Sequence, residues 1–400
     1  MRKPGSWRSR LIAAAAVLAA GIGGWHWLLS DAAEPPPATA APAAEPAPTP
    51  RVAGSAPAPY SAAGHATREQ LLHLWSQRQE RAEQVYRAYL EATRYPPTAR
   101  PIAEHPDQAQ PFAPVQEELP VRDAEGRPVP GLRLRSTQDR VFVASAESVR
   151  MTLQAFDGSG AVVPLKVRRA AAQTLPDGKA LVQLVRSEIA FTDDGAGADD
   201  VAGDQIHAGR LTPATQGFAG QAGSIRVLVD FEANGQAGTV GFDVIYAPDQ
   251  AGRWGGVREA LVDGDLQFYL QAEVPVAGRY MASVRVRDAS GVPFALLQFN
   301  EILPAGSVEF KLALPGLLVH DRQPSFPLQL VDVDAFLLKP DAFPDRVPLP
   351  RLPGVVHLSQ RYGIDAFSSR QWQSEERDRY LAEYARDVVR AEGEIARLRR

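Results

Sequence analysis

The chain has 400 residues, of which 45% are hydrophobic, with no Cys and a formal net charge of −4. This length predicts two or three globular units, and the lack of Cys excludes disulfides, thiol catalysis and zinc–thiolate sites. The first ten residues carry four cations and no acid, so the remainder of the chain carries a charge of about −8. This mild acidity argues against a nucleic acid partner.

An apolar run without Asp, Glu, Lys or Arg occupies residues 11–30, directly after the cationic tail of residues 1–10. About twenty helical residues at ~1.5 Å each span ~30 Å, the thickness of a bilayer's hydrocarbon core. The preceding cations predict a transmembrane anchor with a cytoplasmic N-terminus, and Trp25 and Trp27 suit the headgroup region at its outer end. The alternative is a cleaved signal peptide, although its apolar run is usually about 7–15 residues long.

The use of cationic residues is strongly biased, with five Lys among the 43 Lys and Arg. This bias, together with abundant Ala, Gly and Pro, is typical of a GC-rich bacterial genome. With the predicted anchor, it indicates a protein of the bacterial inner membrane whose bulk lies in the periplasm.

Residues 31–64 contain nine prolines and many alanines between Asp31 and Tyr60. Proline removes backbone donors and disfavours helix in the residue before it, and the segment has few large apolar side chains to bury. We therefore predict a disordered Pro/Ala tether between the anchor and the folded part of the chain.

Two amphipathic helices are predicted, one at residues 67–95 and one at residues 369–400. The first begins with a capping box from Thr67 to Gln70 and ends at a Pro-Pro pair. In both helices apolar residues recur every three or four positions, which gives each helix an apolar stripe. The stripes leave three arrangements open, because the helices can pair with each other, with the body of the protein, or across a dimer.

Between the helices the pattern changes to short strands separated by turn signals such as Asp157-Gly158 and Asn234-Gly235. Alternating polar and apolar residues predict one β-sandwich of the immunoglobulin (Ig) type at 131–248 and a second at 253–340. A Pro-rich extended segment at 96–130 precedes them, and a Pro-rich connector at 341–368 follows. The predicted fold is therefore mainly β, with two tandem Ig-like β-sandwiches and flanking amphipathic helices.

Motifs of known catalytic chemistry are missing from the sequence. There is no GxSxG, P-loop, dinucleotide fingerprint or HExxH, and the seven His are scattered singly along the chain. We therefore predict no catalytic and no cofactor-binding residues, and favour binding or scaffolding over enzymatic activity. A hydrolase assembled from scattered residues is the remaining enzymatic alternative.

A loop at residues 193–204 is rich in both Asp and Gly. Calcium takes six to eight hard oxygen ligands, which flexible acidic loops can supply, although the spacing does not fit an EF-hand. The alternative is a solvated turn in which Asp side chains accept hydrogen bonds from backbone N–H groups. The candidate calcium ligands are Asp193, Asp194, Asp199, Asp200 and Asp204.

The same loop resembles the DDGxxGDxxxGDGxY signature of bacterial surface Ig-like domains of the choice-of-anchor X type. The matching residues are Asp193-Asp194-Gly195, Asp199 and Gly203-Asp204, while Ala198, Gln205 and His207 depart from the signature. The resemblance implies an extracytoplasmic Ig-like fold in a secreted or envelope protein without enzymatic activity.

Three functions follow as hypotheses. The first is a non-enzymatic, membrane-anchored periplasmic binding or scaffold protein, whose protein partner docks on residues 67–94 or 370–398. The second is a calcium-stabilised adhesive or surface Ig-like protein. The third is an envelope hydrolase without a recognisable motif.

Overall fold

The structure is a computed structural model, and it describes residues 67–123, 125–175 and 185–400. The predicted cytoplasmic tail, transmembrane anchor and tether, at 1–64, lie outside the described residues. Among the helices that the structure describes, none combines the length and the hydropathy needed to cross a bilayer. The described part of the chain is mainly β.

The predicted helices form at both ends of the described chain. Helix α1 (Arg68–Ala92) begins with the predicted capping box, in which Thr67 Oγ1 accepts from the Gln70 backbone N–H and Gln70 Oε1 accepts from the Thr67 N–H. A short helix α2 (Gly316–Arg322) lies between two strands, and α3 (Glu375–Arg399) begins at the cap residue Ser374. The capping box is thereby confirmed.

The strands fall into two groups along the chain. The first group contains β1 (Ala99–Pro101), β2 (Val115–Arg122), β3 (Pro128–Gln138), β4 (Phe142–Ala144), β5 (Val149–Phe156), β6 (Val162–Val163), β7 (Leu165–Thr174), β8 (Arg186–Glu188), β9 (Phe191–Thr192), β10 (His207–Leu211), β11 (Gly223–Ala233) and β12 (Gln236–Ala247). The second contains β13 (Arg253–Val262), β14 (Asp265–Val274), β15 (Gly278–Arg287), β16 (Pro293–Leu303), β17 (Gly306–Leu314), β18 (Gln329–Leu338), β19 (Arg346–Pro348) and β20 (Leu352–Leu358).

Strands β2–β12 form a first β unit of two facing sheets within the described chain. One sheet has the order β2-β3-β5-β10-β9, with β6 also pairing with β5, and the other has the order β4-β12-β11-β7-β8. Most neighbours are antiparallel, but β4 runs parallel to β12, with Phe142 opposite Ile245. Buried residues of both sheets, such as Leu153 and Val229, share one hydrophobic core.

The alternation of side chains along β11 explains why these residues form a layered unit. Ile225, Val227, Val229 and Phe231 are buried, whereas the residues between them are half-buried or exposed. Successive side chains of a strand point to opposite faces, so this pattern buries one face of the sheet against the other sheet.

The remaining strands form a second β unit with its own core. One sheet has the order β1-β16-β15-β18-β19, with β20 also pairing with β18, and the facing sheet has the order β13-β14-β17. The core joins Phe268 and Phe310 of the smaller sheet to Tyr280 and Phe299 of the larger one. Aromatic rings meet between the two sheets, with a centroid distance of 4.9 Å between Phe299 and Phe310.

Both Pro-rich segments contribute strands to the sheets. Strand β2 lies in the segment 96–130 and pairs with β3, and the hairpin turn is held by Asp123 Oδ1, which accepts the Arg127 N–H at 2.8 Å. Strand β1 adds to the edge of β16, and β19 and β20 pair with β18 in the segment 341–368. These strands are short or lie at sheet edges, where proline is tolerated.

Helices α1 and α3 pair with each other in an antiparallel arrangement, which selects one of the three arrangements that the sequence left open. Arg68 near the start of α1 bonds to the Leu398 carbonyl at the end of α3. At the other end, Arg377 Nε donates to the Thr93 carbonyl at 3.1 Å. We call this element the helix pair.

The helix pair is fastened to the second β unit at its base. Arg94, just after α1, forms a two-pronged ion pair with Asp321 of α2, with N–O distances of 2.7 and 2.8 Å. The Tyr95 hydroxyl donates to the same carboxylate at 2.6 Å, and the pKa of Asp321 is lowered mainly by its hydrogen bond from Arg94. The Tyr95 ring itself belongs to the core of the second β unit.

Candidate metal centre

The acidic loop connects β9 to β10 at one end of the first β unit. These two strands pair with each other, and Phe191 lies opposite Gly209. The Phe191 ring packs so closely that a Cβ at position 209 would lie 2.5 Å from it, and the ring stacks on Phe242 of the opposite sheet. The strands at which the loop begins and ends, β9 and β10, are therefore well packed.

Glycines allow the loop to fold back on itself. Gly195, Gly197 and Gly203 have φ values between 66° and 76°, in the left-handed region that glycine adopts readily. Gln205 also lies there, at φ 66°, although it is not a glycine.

Two of the carboxylates hold the loop together through backbone N–H groups. Asp193 accepts from Gly203 at 2.8 Å and from Gln205 at 3.1 Å, which closes the loop across ten and twelve residues. Asp199, only 6% exposed, accepts from Gly195 at 2.6 Å. These bonds are those expected of the solvated-turn interpretation, and they also fix the carboxylates in place.

The structure brings three of the five predicted ligands together. Asp193, Asp199 and Asp204 each offer a carboxylate oxygen, and these oxygens lie within 4.8 Å of one another. Asp194 instead accepts the Ala196 N–H at 3.1 Å, and Asp200 forms an ion pair with Arg150 at 2.9 Å. The candidate centre thus reduces to three carboxylates.

The chemistry of this donor set suits a hard cation. Each carboxylate oxygen has more than one lone pair, so an oxygen that accepts one N–H can still face an ion. Calcium binds such oxygens at about 2.3–2.6 Å and completes its shell with backbone carbonyls and water. Arg150 Nε donates to the Ala198 carbonyl at 2.6 Å, and this guanidinium is a nearby cation that offsets part of the negative charge.

A second polar cluster was missed by the sequence reasoning because its members are about 100 residues apart. Glu259 of β13 has a side chain only 5% exposed, and its carboxylate accepts the Gln360 N–H at 2.7 Å and the Tyr362 hydroxyl at 2.9 Å. His357 Nε2 lies 3.0 Å from the other oxygen. Burial and the hydrogen bond to Glu259 raise the pKa of Tyr362 to about 12. This cluster ties β13 to the C-terminal side of the second β unit.

The paired acids of β18, Asp332 and Asp334, form ion pairs with arginines of β15. Asp334 forms an ion pair with the buried Arg285, and Asp332 pairs with Arg287 at 3.0 Å. Asp332 adopts φ 54° at a register shift between β15 and β18, so the two acids do not alternate simply along one face. Arg285 also donates to the Gln108 carbonyl at 2.9 Å, which fastens the Pro-rich segment.

Comparisons with known proteins leave the family open. No protein-family model matches the chain, and no curated protein matches it. Among solved structures, it is similar to a DUF4785 family protein from Legionella pneumophila subsp. pneumophila str. Philadelphia 1, at 14% identity and a TM-score of 0.39. That likeness covers 57% of this chain and 58% of the other, so the chain spans little more than half of that protein's length. A likeness this distant assigns neither fold nor function.

Proposed function

We propose that this chain is a non-enzymatic, membrane-anchored binding or scaffold protein of the bacterial envelope, with its bulk in the periplasm. In this proposal two Ig-like β-sandwiches carry the helix pair, which presents a docking surface for a protein partner. Nucleic acid is not a partner.

The strand order of the first β unit supports the Ig-like assignment. An Ig domain places strands A, B, E and D in one sheet and C, F and G in the other. The order β3-β5-β10-β9 opposite β12-β11-β7 follows the same scheme, with β4 pairing in parallel with the last strand. In the second β unit, β13-β14-β17 lies opposite β16-β15-β18. The strand that corresponds to D, β16, therefore lies in the sheet that holds C and F instead of in the sheet that holds A, B and E.

The proposed docking role rests on one observation, which is that the apolar residues of the helix pair are only partly buried. No residue of α1, which is described in full, is buried, although the helix carries a long apolar stripe. Leu74 and Val85 of α1 are 41% and 43% exposed, and Val389 of α3 is 65% exposed. Apolar surface of this kind on a long element is typical of an interaction site.

Capture from the native membrane tests the docking role. The full chain with Leu74→Glu and Val85→Glu should lose a crosslinked protein partner that the wild-type chain retains, while Val162→Glu in the first β unit should retain it. If the same partner is captured by all three chains, the helix pair is not the docking surface.

Chemical labelling tests the location. Because the chain has no Cys, a single Arg400→Cys variant carries one reactive thiol. A membrane-impermeant maleimide should label it in cells whose outer membrane has been permeabilised. Labelling only after lysis of the inner membrane would contradict the periplasmic location.

A calcium-stabilised adhesive or surface protein is the second candidate, favoured by the three convergent carboxylates at Asp193, Asp199 and Asp204. Calcium that binds the folded state alone raises the melting temperature as its concentration rises above the Kd. We expect a higher Tm in calcium than in EGTA, and no difference in a variant with Asp199→Asn and Asp204→Asn. An equal Tm for the wild-type chain in both buffers would remove this candidate.

A further inference from the structure

A groove with an apolar floor runs between the two helices of the helix pair. It has a volume of about 350 Å³, and its floor is formed by Trp75, Ala82 and Val85 of α1 with Tyr384 and Ala391 of α3. Because Val85 is 43% exposed, part of this floor faces solvent.

The rim of the groove has a net positive charge. It is formed by Arg78, Arg81 and Arg390 with a single acid, Asp387. The Arg78 guanidinium lies over the Trp75 ring, 4.7 Å from its centroid, so this cation extends the aromatic floor.

The rim arginines differ from others on the same helices. Arg87 pairs with Glu83 at 3.0 Å, and Arg397 pairs with Glu394 at 2.7 Å. None of the ion pairs between described residues includes a rim arginine. Three guanidinium groups beside one carboxylate therefore leave about two positive charges uncompensated around an apolar floor.

We propose that this groove binds an acidic amphipathic helix of a partner protein, an inference that rests on the proposed scaffold function and gives the partner's chemistry. The lining of the groove runs along α1 from Trp75 to Val85, about 15 Å at ~1.5 Å per residue, so about three turns of a third helix can lie along it. Its apolar side covers the floor, as in other helix-in-groove complexes. Its flanking Asp and Glu pair with the rim arginines, whose planar guanidinium groups suit carboxylates.

The sign of the rim charge also determines which helices are rejected. A basic amphipathic helix with the same apolar residues would bring Lys and Arg beside three arginines, and such like-charge contacts disfavour the wrong partner. The groove therefore selects by charge as well as by shape.

Two labelled model peptides of about 18 residues test the inference. Both have Leu at the same helical spacing, and they differ only at the flanking positions, which are Glu in one peptide and Lys in the other. Fluorescence anisotropy with the full chain should give a Kd about tenfold lower for the Glu peptide, with the preference shrinking at high salt. Equal affinity for both peptides, or tighter binding of the Lys peptide, would overturn the inference.

Charge reversal assigns the binding to the groove. A variant with Arg81→Glu and Arg390→Glu should lose at least about tenfold in affinity for the Glu peptide and come to prefer the Lys peptide. Its control carries Arg399→Glu and Arg400→Glu, the same change in net charge outside the groove lining, and should bind like the wild-type chain. Circular dichroism of both variants checks that the helices still form. Equal losses in the two variants would contradict a specific groove.

The capture experiment separates this inference from the function on which it rests. If capture from the membrane needs Leu74 and Val85 but survives Arg81→Glu with Arg390→Glu, the acidic-helix inference is wrong while the docking role stands. If the groove instead holds a second copy of the chain, light scattering shows a dimer that the Glu peptide does not dissociate, and the inference is again overturned.

Discussion

The buried carboxylate of Glu259 connects two distant parts of the second β unit. Its Oε1 accepts hydrogen bonds from the Gln360 backbone N–H and the Tyr362 hydroxyl, and its Oε2 lies against His357 Nε2, so one side chain joins β13 to the chain around residues 357–362. The sequence separation explains why no local pattern indicates this cluster.

Glu259→Ala should therefore destabilise the protein strongly. The substitution removes the charged acceptor of the Gln360 N–H and the Tyr362 hydroxyl, and a hydrogen bond to a charged group contributes about 1.5–3 kcal/mol. We expect the free energy of unfolding, measured in urea, to fall by roughly 2–4 kcal/mol. The exposed Glu301→Ala is the control, and a loss of the same size there would contradict a special role for Glu259.

Asp288 is the residue from which a dependence on acid pH follows. Burial alone raises the pKa of its carboxyl, but hydrogen bonds from the Ser290 and Ser325 hydroxyls and from the Val292 N–H lower it to about 2. These bonds close the turn between β15 and β16 and tie it to Ser325.

Because the pKa is lower in the folded state, the ionised form of Asp288 stabilises the fold. This contribution is present in full above its ordinary value near 3.8 and is lost as the pH falls towards 2. Asp288→Asn should therefore reduce the slope of unfolding free energy against pH between about 4 and 2. An unchanged slope in the variant would show that Asp288 does not contribute to it.

At the scale of elements, the helix pair is held by a narrow seam. Ile395 and Ala391 are buried on α3, and Tyr89 of α1 packs between Tyr380 and Tyr384, with centroid distances of 5.8 and 5.2 Å. Since helices in proteins gain most of their stability from packing, the pairing holds both helices in place.

Ile395→Ala should loosen both helices. Truncating a buried Ile costs about 2–5 kcal/mol, so we expect faster amide hydrogen exchange in α1 as well as in α3. Val389→Ala on the same helix removes a side chain that is 65% exposed and should leave exchange in α1 unchanged. Protection of α1 that survives Ile395→Ala would mean that another contact holds the helix.

At the scale of the whole molecule, Arg346 joins the two β units. Its guanidinium carbon lies 4.9 Å from the ring centroids of both Phe142 in the first unit and Phe336 in the second. The same side chain pairs with Asp345 at 2.8 Å and lowers the pKa of that carboxyl.

Arg346→Ala should weaken the coupling between the units. Calorimetry of the variant should show a broader unfolding transition, or two transitions, because each unit has its own core. Arg258→Ala is the matched control, since that arginine also lies over a ring, Tyr269, and pairs with Glu309, but within one unit. A single sharp transition in Arg346→Ala would show that other contacts couple the units.

The sequence alone determined the features that depend on local pattern. The capping box at Thr67, the two amphipathic helices and the β content follow from side chains a few positions apart, which lie on one helix face or strand face. The Asp-Gly composition of residues 193–204 likewise predicted a turn rich in carboxylates.

Only the tertiary structure decided the features that join distant residues. The antiparallel pairing of α1 with α3, the strands within the Pro-rich segments and the Glu259 cluster each bring together residues far apart in the sequence. The same holds within the acidic loop, where backbone folding selects Asp193, Asp199 and Asp204 from five similar residues. The physical reason is that composition and periodicity report on neighbours along the chain, whereas packing and hydrogen bonding select partners in space.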